Sequence, residues 1–410
     1  MKAKKIVIIL IVIVLLSVTF LGINSVNTID NLAYVVSMGF DITDAGKIEL
    51  SFQIAVPAGS SGGSSGSTSS QSSSSIISSV ECNTIESGIN LVNSYLGKKL
   101  NLSHCKAIVF SEEIATKGIG EYLYTLINNI EIRPTCNVII SKCNAKYFLN
   151  NSKPLLEPLS SKYYEVASTS ARNTGFTSDT TLQEFFSSFA DSFSECFAIL
   201  GGINNGGNSN SDSSAAEGND STYTASDTPV DSQTNIETMG IAVFKEDKLV
   251  GELNGLESIC HLILVNELKN ATISIPSPFE STNYIDLYIT KSKSKSKVYI
   301  SNGTPFIKPN IKIEARIVSM SDDYKYLNKE NLELIENYAN NYIKSYINNY
   351  LYKTSKEFKS DVTGFGRYAV SKFLTWDKWD KYNWLDNYQN AFFDVSVDVH
   401  VKSRYLIIDT

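Results

Sequence analysis

The fold class is decided by residues 107–140, in which two short apolar segments, Ala107-Ile-Val-Phe110 and Asn137-Val-Ile-Ile140, lie on either side of a helical stretch, residues 112–130. Short uninterrupted apolar segments are typical of strands that are buried on both faces. A helix between two such strands is typical of a parallel crossover connection. The sequence therefore predicts a mixed α/β (α+β) fold with at least some parallel strand pairing.

The segments that precede this unit predict a strand pair and a second helix. Residues 34–41 and 48–56 have the composition of strands, and the second alternates apolar with polar side chains. Residues 44–47 supply the turn between them. Residues 84–96 place apolar side chains at helical spacing. We therefore expect residues 24–200 to form an N-terminal mixed α/β region.

The C-terminal region, residues 236–410, predicts further sheets covered by helices, in two subdomains. Its strand-like segments are residues 239–244, 248–251, 273–276, 284–290, 297–300, 311–318 and 392–401. Residues 257–268 are helical in character. The strongest periodicity runs from Ile335 to Leu351, where apolar residues and tyrosines form one stripe over more than four helical turns. A long helix packed on a sheet explains this stripe, and a tyrosine face that binds a partner is the alternative.

Two tracts of low complexity interrupt these regions. Residues 58–75 consist mostly of Ser and Gly, and such a stretch cannot bury enough surface to offset the entropy lost on ordering. Residues 201–235 are rich in Gly, Asn, Ser and Asp and contain no Lys or Arg. We expect the first tract to be a flexible loop within the N-terminal region and the second to be an acidic disordered linker between the two regions.

The N-terminus has the features of a membrane anchor. Three lysines among the first five residues precede an uncharged apolar run of eighteen residues, from Ile6 to Ile23. As a helix this run would be about 27 Å long, close to the hydrocarbon thickness of a bilayer. A cleaved signal peptide normally has a shorter apolar region, and residues 17–19 offer only a weak cleavage site. The length favours an uncleaved transmembrane anchor, residues 1–23, with the rest of the chain outside the cytoplasm.

The composition sets further bounds on the protein class. A chain of 410 residues exceeds one compact domain, and two or three domains are expected, each a sheet flanked by helices. A hydrophobic content of 42% rules out a wholly disordered chain, and a net charge of −7 argues against a nucleic-acid-binding protein.

No catalytic constellation is recognisable in the sequence. Gly62-Gly-Ser-Ser-Gly66 satisfies the G-x-S-x-G pattern, but it lies in the Ser/Gly tract instead of between a strand and a helix, and we attribute it to chance. His104 is expected at a core or loop position, since no orienting carboxylate is evident in the sequence. His261 falls inside an apolar helical stretch and His400 inside a strand, and neither lies in a ligand motif. We therefore expect no enzyme activity, no cofactor and no metal ligand, and the sequence assigns no ligand-binding residue.

Six cysteines are distributed along the chain without a C-x-x-C pair, which disfavours zinc-ribbon and thioredoxin-like chemistry. Outside the cytoplasm they can pair as disulfides in any of fifteen combinations. Cys105 and Cys136 adjoin predicted buried strands, where a thiol packs as a small apolar group. The sequence favours packed thiols over bridges.

A run of alternating lysines stands out in the C-terminal region. Lys291, Lys293, Lys295 and Lys297 alternate with Ser between two strand-like segments. If the run is extended, four ammonium groups lie on one face of a hairpin, where they would attract anionic lipid or wall polymer. The interpretation favoured by the sequence alone is a solvated hairpin tip whose like charges discourage edge pairing.

Several segments share their residues and their order with one protein family. They are Ile29-Asp-Asn-Leu-Ala-Tyr-Val-Val-Ser-Met-Gly-Phe-Asp41, Phe52-Gln-Ile-Ala-Val-Pro57, residues 102–115 with Lys117-Gly-Ile119, residues 240–251, and Trp376, Trp379 and Trp384 with the closing Val-rich strand. Taken together they resemble the Ger(x)C family, the C subunits of bacterial spore nutrient germinant receptors. Each segment is structural in type, so the specificity of the resemblance lies in their number and order.

The resemblance implies three mixed α/β domains on the outer face of the spore inner membrane. It also implies assembly with the A and B subunits of the receptor, which are membrane proteins, and a non-catalytic role in nutrient-triggered spore germination. A different class, an extracytoplasmic solute-binding or envelope-scaffold protein unrelated to germination, is the alternative. A secreted hydrolase would require a nucleophile and a base that the sequence search does not find.

One position departs from the family pattern. Family members typically carry a lipid on a lipobox cysteine, and aligning Leu32-Ala33 with the family puts that position at Ile23, with no cysteine before Cys82. Without a thiol there is no acceptor for the lipid. The apolar helix itself is then expected to hold the protein in the bilayer, more firmly than a single acyl chain does.

This departure gives a first prediction about the mature protein. We expect it to retain residues 1–23 and to carry no lipid, because Ile23 has no group that a diacylglyceryl transfer can modify. The intact mass of the protein isolated from spore membranes measures this directly. A mass that corresponds to a processed and acylated N-terminus would contradict it.

Overall fold

The computed structural model describes residues 4–6, 11–12, 31–56, 75–152, 160–204, 221–233, 235–280, 282–321 and 329–402. Within these ranges the fold consists of two β-sheets and the helices packed on them, which confirms the mixed α/β class. No helix in these ranges has the length and apolar character that crossing a bilayer requires. Most of the predicted anchor from Ile6 to Ile23, the lipobox position Ile23 and nearly all of the tract 58–75 lie outside the described residues.

The first sheet has nine strands in the spatial order β3-β2-β1-β5-β6-β7-β8-β9, and β4 pairs with the start of β1. Its strands are β1 (Leu32–Ile42), β2 (Ile48–Ala55), β3 (Ser75–Cys82), β4 (Lys99–Asn101), β5 (Ala107–Ser111), β6 (Asn137–Ser141), β7 (Phe197–Ile203), β8 (Ile236–Lys245) and β9 (Lys248–Leu253). The central strands β1, β5, β6 and β7 are parallel to one another, and antiparallel pairs extend the sheet at both ends. The parallel pairing predicted from residues 107–140 is therefore confirmed.

Helices cover both faces of this sheet, and every residue of the central strands β5 and β6 is therefore buried. The helices of the first face are α1 (Ile85–Leu96), α2 (Glu112–Lys117), α3 (Gly120–Asn128) and α6 (Leu182–Ala190), and those of the second face are α4 (Ala145–Asn151) and α5 (Ser160–Thr174). Alternate strand residues divide between these faces: Ile108 and Phe110 pack in the first core, whereas Ala107 and Val109 pack in the second.

The single helix predicted for residues 112–130 is two helices, α2 and α3. Gly118 between them has a φ of +124°, a conformation that L side chains rarely adopt. Asp247, in the turn between β8 and β9, accepts hydrogen bonds there from the backbone N–H groups of Ile119 (3.0 Å) and Gly120 (3.2 Å). The break is set by a contact from a distant part of the chain, which the local periodicity does not contain.

The predicted disordered linker, residues 201–235, belongs to the fold at both of its ends. Gly201 lies in β7, and a Cβ there would come within 2.9 Å of Ile139 Cγ2, so the glycine permits close packing of β7 on its neighbours. Ala225 is fully buried, and its N–H donates to the carbonyl of Met239 (2.9 Å). The composition predicts flexibility here because Gly and Ser are common in flexible linkers. The same small residues also occur where two segments of backbone pack closely, as they do at these positions. Residues 205–220 and 234 lie outside the described residues.

The second sheet has five strands in the order β10-β11-β12-β13, and β14 also pairs with β12. They are β10 (Ala271–Pro276), β11 (Tyr284–Ser301), β12 (Thr304–Met320), β13 (Phe392–Phe393) and β14 (Ser396–Val401). β11 and β12 form one long hairpin that turns at Asn302 and Gly303, both with positive φ. β13 and β14 run parallel to β12.

The helices of this half pack on one face of the second sheet and around the junction with the first. They are α7 (Gly255–Val265), α8 (Lys329–Tyr352), α9 (Gly366–Ala369), α10 (Trp376–Tyr382) and α11 (Trp384–Asn387), with a π-helical turn at Lys353–Glu357 and 3₁₀ turns at Val370–Lys372 and Tyr388–Asn390. The apolar stripe of α8 is buried in the core, which confirms the long helix packed on a sheet. The buried positions are Ile335, Ala339, Ile343, Ile347, Tyr350 and Leu351.

Two strand predictions in this half are wrong in extent. Residues 284–290 and 297–300 were expected as separate strands with the lysines at a hairpin tip, but β11 is continuous and the lysines lie inside it. The alternation of Ser with Lys continues the two-residue period of a strand, so no turn is required. The closing segment 392–401 is divided into β13 and β14, since residues 394–395 lie between the two.

Strand β8 joins the two halves of the molecule. Its odd-numbered residues Ile241 and Val243 pack in the core of the second half, whereas Ala242 and Phe244 pack in the core of the first. The described residues thus contain two sheets with a strand that serves both cores. The division of the chain into three domains remains a prediction.

The burial of α8 generates a prediction about stability. Ile347→Ala removes a fully buried side chain from the second core, and we expect the free energy of unfolding to fall by about 2–5 kcal/mol. Asn349→Ala, an exposed position on the same helix, is the matched control and should change it by less than about 0.5 kcal/mol. Denaturant titration of both variants checks this. Equal effects at the two positions would contradict the packing of this helix.

Candidate functional site

The connections that leave β5 and β6 go to opposite faces of the first sheet. The chain passes from β5 into α2 on one face, and from β6 into α4 on the other. Where adjacent parallel strands send their connections to opposite faces, a crevice opens outside their carboxyl ends, and ligands of open α/β sheets characteristically bind there. The structure has a crevice of about 480 Å³ at this edge.

The crevice is lined almost entirely by polar side chains. They are Ser111, Glu112, Glu113, Thr116 and Lys117 from the end of β5 and from α2, and Lys142, Cys143 and Asn144 from the end of β6. These residues are adjacent in space because β5 and β6 pair in register from Ala107 with Asn137 to Ser111 with Ser141. The polar lining suits a small polar molecule better than an apolar one.

Three of the four charged side chains that line the crevice take part in ion pairs. The ammonium of Lys142 lies 3.2 Å from Glu252 Oε2 and 3.6 Å from Asp227 Oδ2, and it donates to Thr224 Oγ1 (3.1 Å). Burial raises the pKa of Glu252, and the neighbouring Lys142 opposes this shift. Glu113 pairs with Lys117 one helical turn away (2.8 Å).

The wall formed by the segment between β6 and α4 is fixed by a buried carboxylate. Asp41, at the end of β1, accepts hydrogen bonds from the N–H groups of Ala145 (2.7 Å) and Lys146 (2.8 Å). Burial raises the pKa of Asp41, and these two backbone donors oppose the rise because they stabilise the charged form. Asp41 thereby holds the first turn of α4 in place from a different strand.

The crevice offers hydrogen-bonding side chains and one thiol, that of Cys143. Burial raises the pKa of the Cys143 thiol, and its sulfur lies 3.3 Å from Ser141 Oγ. A thiol with a raised pKa is a poor nucleophile because little thiolate is present at neutral pH. Among the residues that the structure describes, no group of three or more His, Cys, Asp or Glu side chains is arranged to hold a metal ion.

The three histidines lie far apart in different surroundings. His261 is fully buried, its Nδ1 lies 2.8 Å from Tyr350 Oη, and burial lowers its pKa to about 3. His104 contacts Ser103 Oγ (3.0 Å), and His400 lies 3.0 Å from Glu336 Oε1. His261 lies in α7 and His400 lies in β14, as their sequence surroundings predict, and His104 lies in the turn between β4 and β5. The pattern Gly62–Gly66 lies outside the described residues.

All six cysteines are described, and each carries a free thiol. Five are buried, and Cys143 is partly exposed. Burial raises the pKa of Cys105 to about 12, since its low-dielectric surroundings disfavour the thiolate. The preference for packed thiols over bridges agrees with this arrangement.

A second polar constellation lies where the two halves meet, and it centres on the buried carboxylate of Asp361. Trp384 donates its indole N–H to Asp361 Oδ2 (2.7 Å), and the backbone N–H groups of Phe365 (3.1 Å) and Gly366 (3.0 Å) donate to its two oxygens. Asp361 also accepts, through its backbone carbonyl, the N–H of Glu195 from the first half (3.0 Å). Every partner needed to bury this carboxylate is therefore present.

Glu195 is buried beside Asp361 with one oxygen unsatisfied. Its Oε2 accepts the N–H of Glu246 (2.7 Å), whereas no described residue offers a hydrogen bond to Oε1. Burial raises the pKa of Glu195 to about 7, with Lys245 opposing the shift and Glu246 and Asp361 adding to it. Burial likewise raises the pKa of Asp361 to about 6. The junction therefore contains two carboxyl groups, those of Glu195 and Asp361, whose pKa values are raised toward neutral pH.

The sequence analysis did not find these junction residues. Glu195 and Asp361 are 166 positions apart and lie in no motif. The three tryptophans of the closing region are an indirect sequence signal of a polar junction. One of them, Trp379, donates its indole N–H to Ser192 Oγ (2.9 Å) beside this junction. A buried indole needs a hydrogen-bond acceptor, but the sequence does not say which residue provides it.

The junction gives a prediction about the pH dependence of stability. The folded protein binds a proton at Glu195 with a pKa of about 7, above the ordinary 4.5, so the free energy of unfolding should fall as the pH rises from 4.5 to about 7. Glu195→Gln removes this titration and keeps the shape of the side chain. In the variant, we expect the free energy of unfolding not to show the decrease that Glu195 causes between pH 4.5 and about 7. Above pH 7 the variant should be at least as stable as the wild type.

The measurement is denaturant unfolding at a series of pH values. Glu333→Gln, at an exposed position on α8, is the control and should retain the slope of the wild type. Asp361 contributes a further fall between pH 3.8 and about 6, which remains in both variants. An unaltered slope for Glu195→Gln between pH 6 and about 7 would show that this carboxyl does not bind the proton.

Comparison with known protein families places the chain among spore germination proteins. The model described as "Spore germination protein N-terminal domain" matches residues 25–200. The model described as "Spore germination B3/ GerAC like, C-terminal" matches residues 239–404. The two matches follow each other along the chain, and the gap between them, residues 201–238, contains the whole low-complexity tract 201–235 that was predicted as a linker.

Individual relatives agree with this assignment. The spore germination protein GerQC of Bacillus cereus is 22% identical over 388 residues, which cover 94% of this chain and 96% of that protein. The putative spore germination protein YfkR of Bacillus subtilis (strain 168) is 21% identical over 382 residues, which cover 91% of this chain and 88% of that protein. Both alignments span nearly the whole of each chain.

A solved structure has the same fold. The crystal structure of the GerBC protein matches this chain with a TM-score of 0.50 and 15% identity, covering 89% of this chain and 97% of that one. At this identity the likeness concerns the fold alone, and it supports the mixed α/β arrangement of sheets and helices. From the two domain matches and the full-length relatives, the chain belongs to the Ger(x)C (GerAC-like) family of spore germination proteins.

Proposed function

We propose that this protein is the C subunit of a spore nutrient germinant receptor, a non-catalytic subunit needed for nutrient-triggered germination. The observation that carries the proposal is the tandem match of both germination domains, at residues 25–200 and 239–404. Two spore germination proteins align with the chain from end to end. Similarity over the whole length supports a shared role more strongly than one shared domain does.

The proposal includes a location and an anchor. The helix from Ile6 to Ile23 crosses the spore inner membrane once, and the bulk of the chain lies on the outer face. The support is the sequence itself: eighteen uncharged apolar residues suffice for the hydrocarbon core, and the lysines before them favour a cytoplasmic N-terminus. With Ile23 in place of a lipobox cysteine, this helix takes the role that a lipid has in other members.

The proposed partners are the A and B subunits of the same receptor, both membrane proteins. A single-pass anchor keeps this subunit in the same bilayer as its partners and so raises their effective concentration. No nucleic acid takes part in the proposal, and the net charge of −7 supports that point.

A second candidate function, an extracytoplasmic solute-binding protein unrelated to germination, is favoured by one observation. The polar crevice at the carboxyl ends of β5 and β6 occupies the position where open α/β sheets bind small molecules. Gene context separates the two candidates, because a receptor subunit is expected beside genes for the A and B subunits.

The experiment that tests the main proposal is deletion of the gene, followed by germination assays with single nutrients. We expect germination with at least one nutrient to be lost or strongly slowed, because a receptor without its C subunit does not transmit the signal. Reintroduction of the wild-type gene at another locus should restore the response and is the control. Unchanged germination with every nutrient, in a strain without a paralogue, would contradict the proposal.

A further inference from the structure

One face of the second sheet is covered by no other described element and is rich in lysine. The core face of the hairpin β11–β12 packs against the second core, whereas its other face is open. Four lysines and Tyr299 occupy successive odd-numbered positions of β11, all exposed, namely Lys291, Lys293, Lys295 and Lys297 before Tyr299. Side chains two residues apart in a strand lie on the same face about 7 Å from each other, so this row is about 26 Å long.

The paired strand adds cations to the same face. Lys297 lies opposite Lys308, and Lys293 lies opposite Lys312. Directly paired residues of an antiparallel ladder project to the same side of the sheet, and like charges in that arrangement repel each other. Arg316 also lies on this face, over the ring of Tyr288 (4.8 Å to the centroid). We call this surface, formed by the exposed residues of β11, β12 and the adjoining β13, the basic face.

Carboxylates neutralise the lysines of β12 and the first lysine of the row on β11. Glu314 pairs with Lys291 (3.8 Å) and with Lys402, whereas Asp394 pairs with Lys308 (2.9 Å) and Asp398 with Lys312 (3.8 Å). Lys293, Lys295 and Lys297 form no ion pair with any residue that the structure describes. A row of unpaired ammonium groups in a chain of net charge −7 is a local excess of positive charge that requires an explanation.

Exposed aromatic rings continue the basic face toward the hairpin turn. Tyr299 is 47% exposed and pairs with Phe306, which is 39% exposed. Phe306 in turn stacks on Phe392 of β13, with centroids 5.5 Å apart, and Phe392 is 53% exposed. Three large exposed rings at adjacent positions on neighbouring strands form an apolar patch larger than isolated exposed side chains provide.

We propose that the basic face lies on the surface of a bilayer that contains anionic lipid. The lysines attract the headgroups, and the rings of Tyr299, Phe306 and Phe392 enter the interfacial region, where amphipathic and aromatic side chains are favoured. A soluble polyanion would account for the lysines alone. A lipid surface accounts for the charge and the exposed rings together, and it is therefore the partner that the structure favours.

The proposal that the basic face lies on a bilayer depends on the proposed function in one respect: the anchor keeps the chain near a membrane. The structural alternative is that the lysines protect a free strand edge, because β10 pairs with β11 only from Tyr284 to Ile289, and no other strand among the described residues pairs with the later residues of β11 on that side. Edge protection requires positive charge but no lipid. The two explanations therefore differ in their dependence on lipid composition.

The test is lysine footprinting of the full chain reconstituted into two kinds of vesicle. One kind is phosphatidylcholine, and the other is an equal mixture of phosphatidylcholine and phosphatidylglycerol. A membrane-impermeant acylating reagent modifies accessible lysines, and mass spectrometry gives the rate for each. We expect Lys293, Lys295 and Lys297 to react about five-fold more slowly in the anionic vesicles. Lys248, Lys344 and Lys372, which are exposed elsewhere, should react equally in both.

Variants and added salt sharpen the experiment. Replacing Lys293, Lys295 and Lys297 together by Gln should abolish the anionic-lipid protection of the neighbouring Lys291, and the same change at Lys248, Lys344 and Lys372 should not. About 0.5 M salt should also remove the protection, because it screens the attraction to headgroups. Circular dichroism of both triple variants should match the wild type, since all six side chains are exposed.

Each outcome decides the proposal. Equal reactivity of the three lysines in the two kinds of vesicle would overturn it and leave edge protection as the explanation. Protection in phosphatidylcholine vesicles by added soluble polyglutamate, without protection by anionic lipid, would overturn it in favour of a polymer partner. Flotation of the chain with phosphatidylcholine vesicles reports the anchor separately. Failure of the anchor is therefore distinguishable from failure of the lipid-facing orientation.

Discussion

The arrangement of the described chain depends on β8, a strand whose two faces belong to different cores. Ile241 and Val243 face the helices of the second half, and Ala242 and Phe244 face those of the first. If the two halves separated, the side chains of β8 that pack in the second core would be exposed to water. The free energy of burying them therefore holds the two halves together. The second sheet, the long helix α8 and the closing strands are positioned through this strand.

Buried carboxyl groups complete the same junction. Asp361 is supplied with donors from Trp384 and from its own following turn, whereas Glu195 has one oxygen without a described partner. A half-satisfied buried group is a site where protonation changes stability, and the raised pKa of Glu195 reflects that situation. The contact between the halves therefore combines apolar packing, which is insensitive to pH, with carboxyl groups that are sensitive to it.

The surfaces most relevant to function lie away from this junction. The polar crevice is at the carboxyl ends of the parallel strands, and the basic face is on the open side of the second sheet. The proposed role as a receptor subunit on a membrane would require a rigid body and surfaces that contact lipid or other subunits, and the fold places such surfaces away from the junction. Lys117 and Lys142 at the crevice form ion pairs, whereas Lys293, Lys295 and Lys297 form none with the residues that the structure describes.

The sequence by itself determined the fold class, the buried parallel strands, the packed stripe of α8 and the family, because these follow from local periodicity and from the order of segments. It did not determine the division of residues 112–130, since Asp247 reaches that break from a distant turn. It misplaced the lysines at a hairpin tip, although their two-residue period was strand-like, because segment boundaries depend on pairing with β12. Only the tertiary structure brought Glu195 to Asp361 and aligned the lysines with the exposed rings, since both arrangements join residues that no local pattern connects.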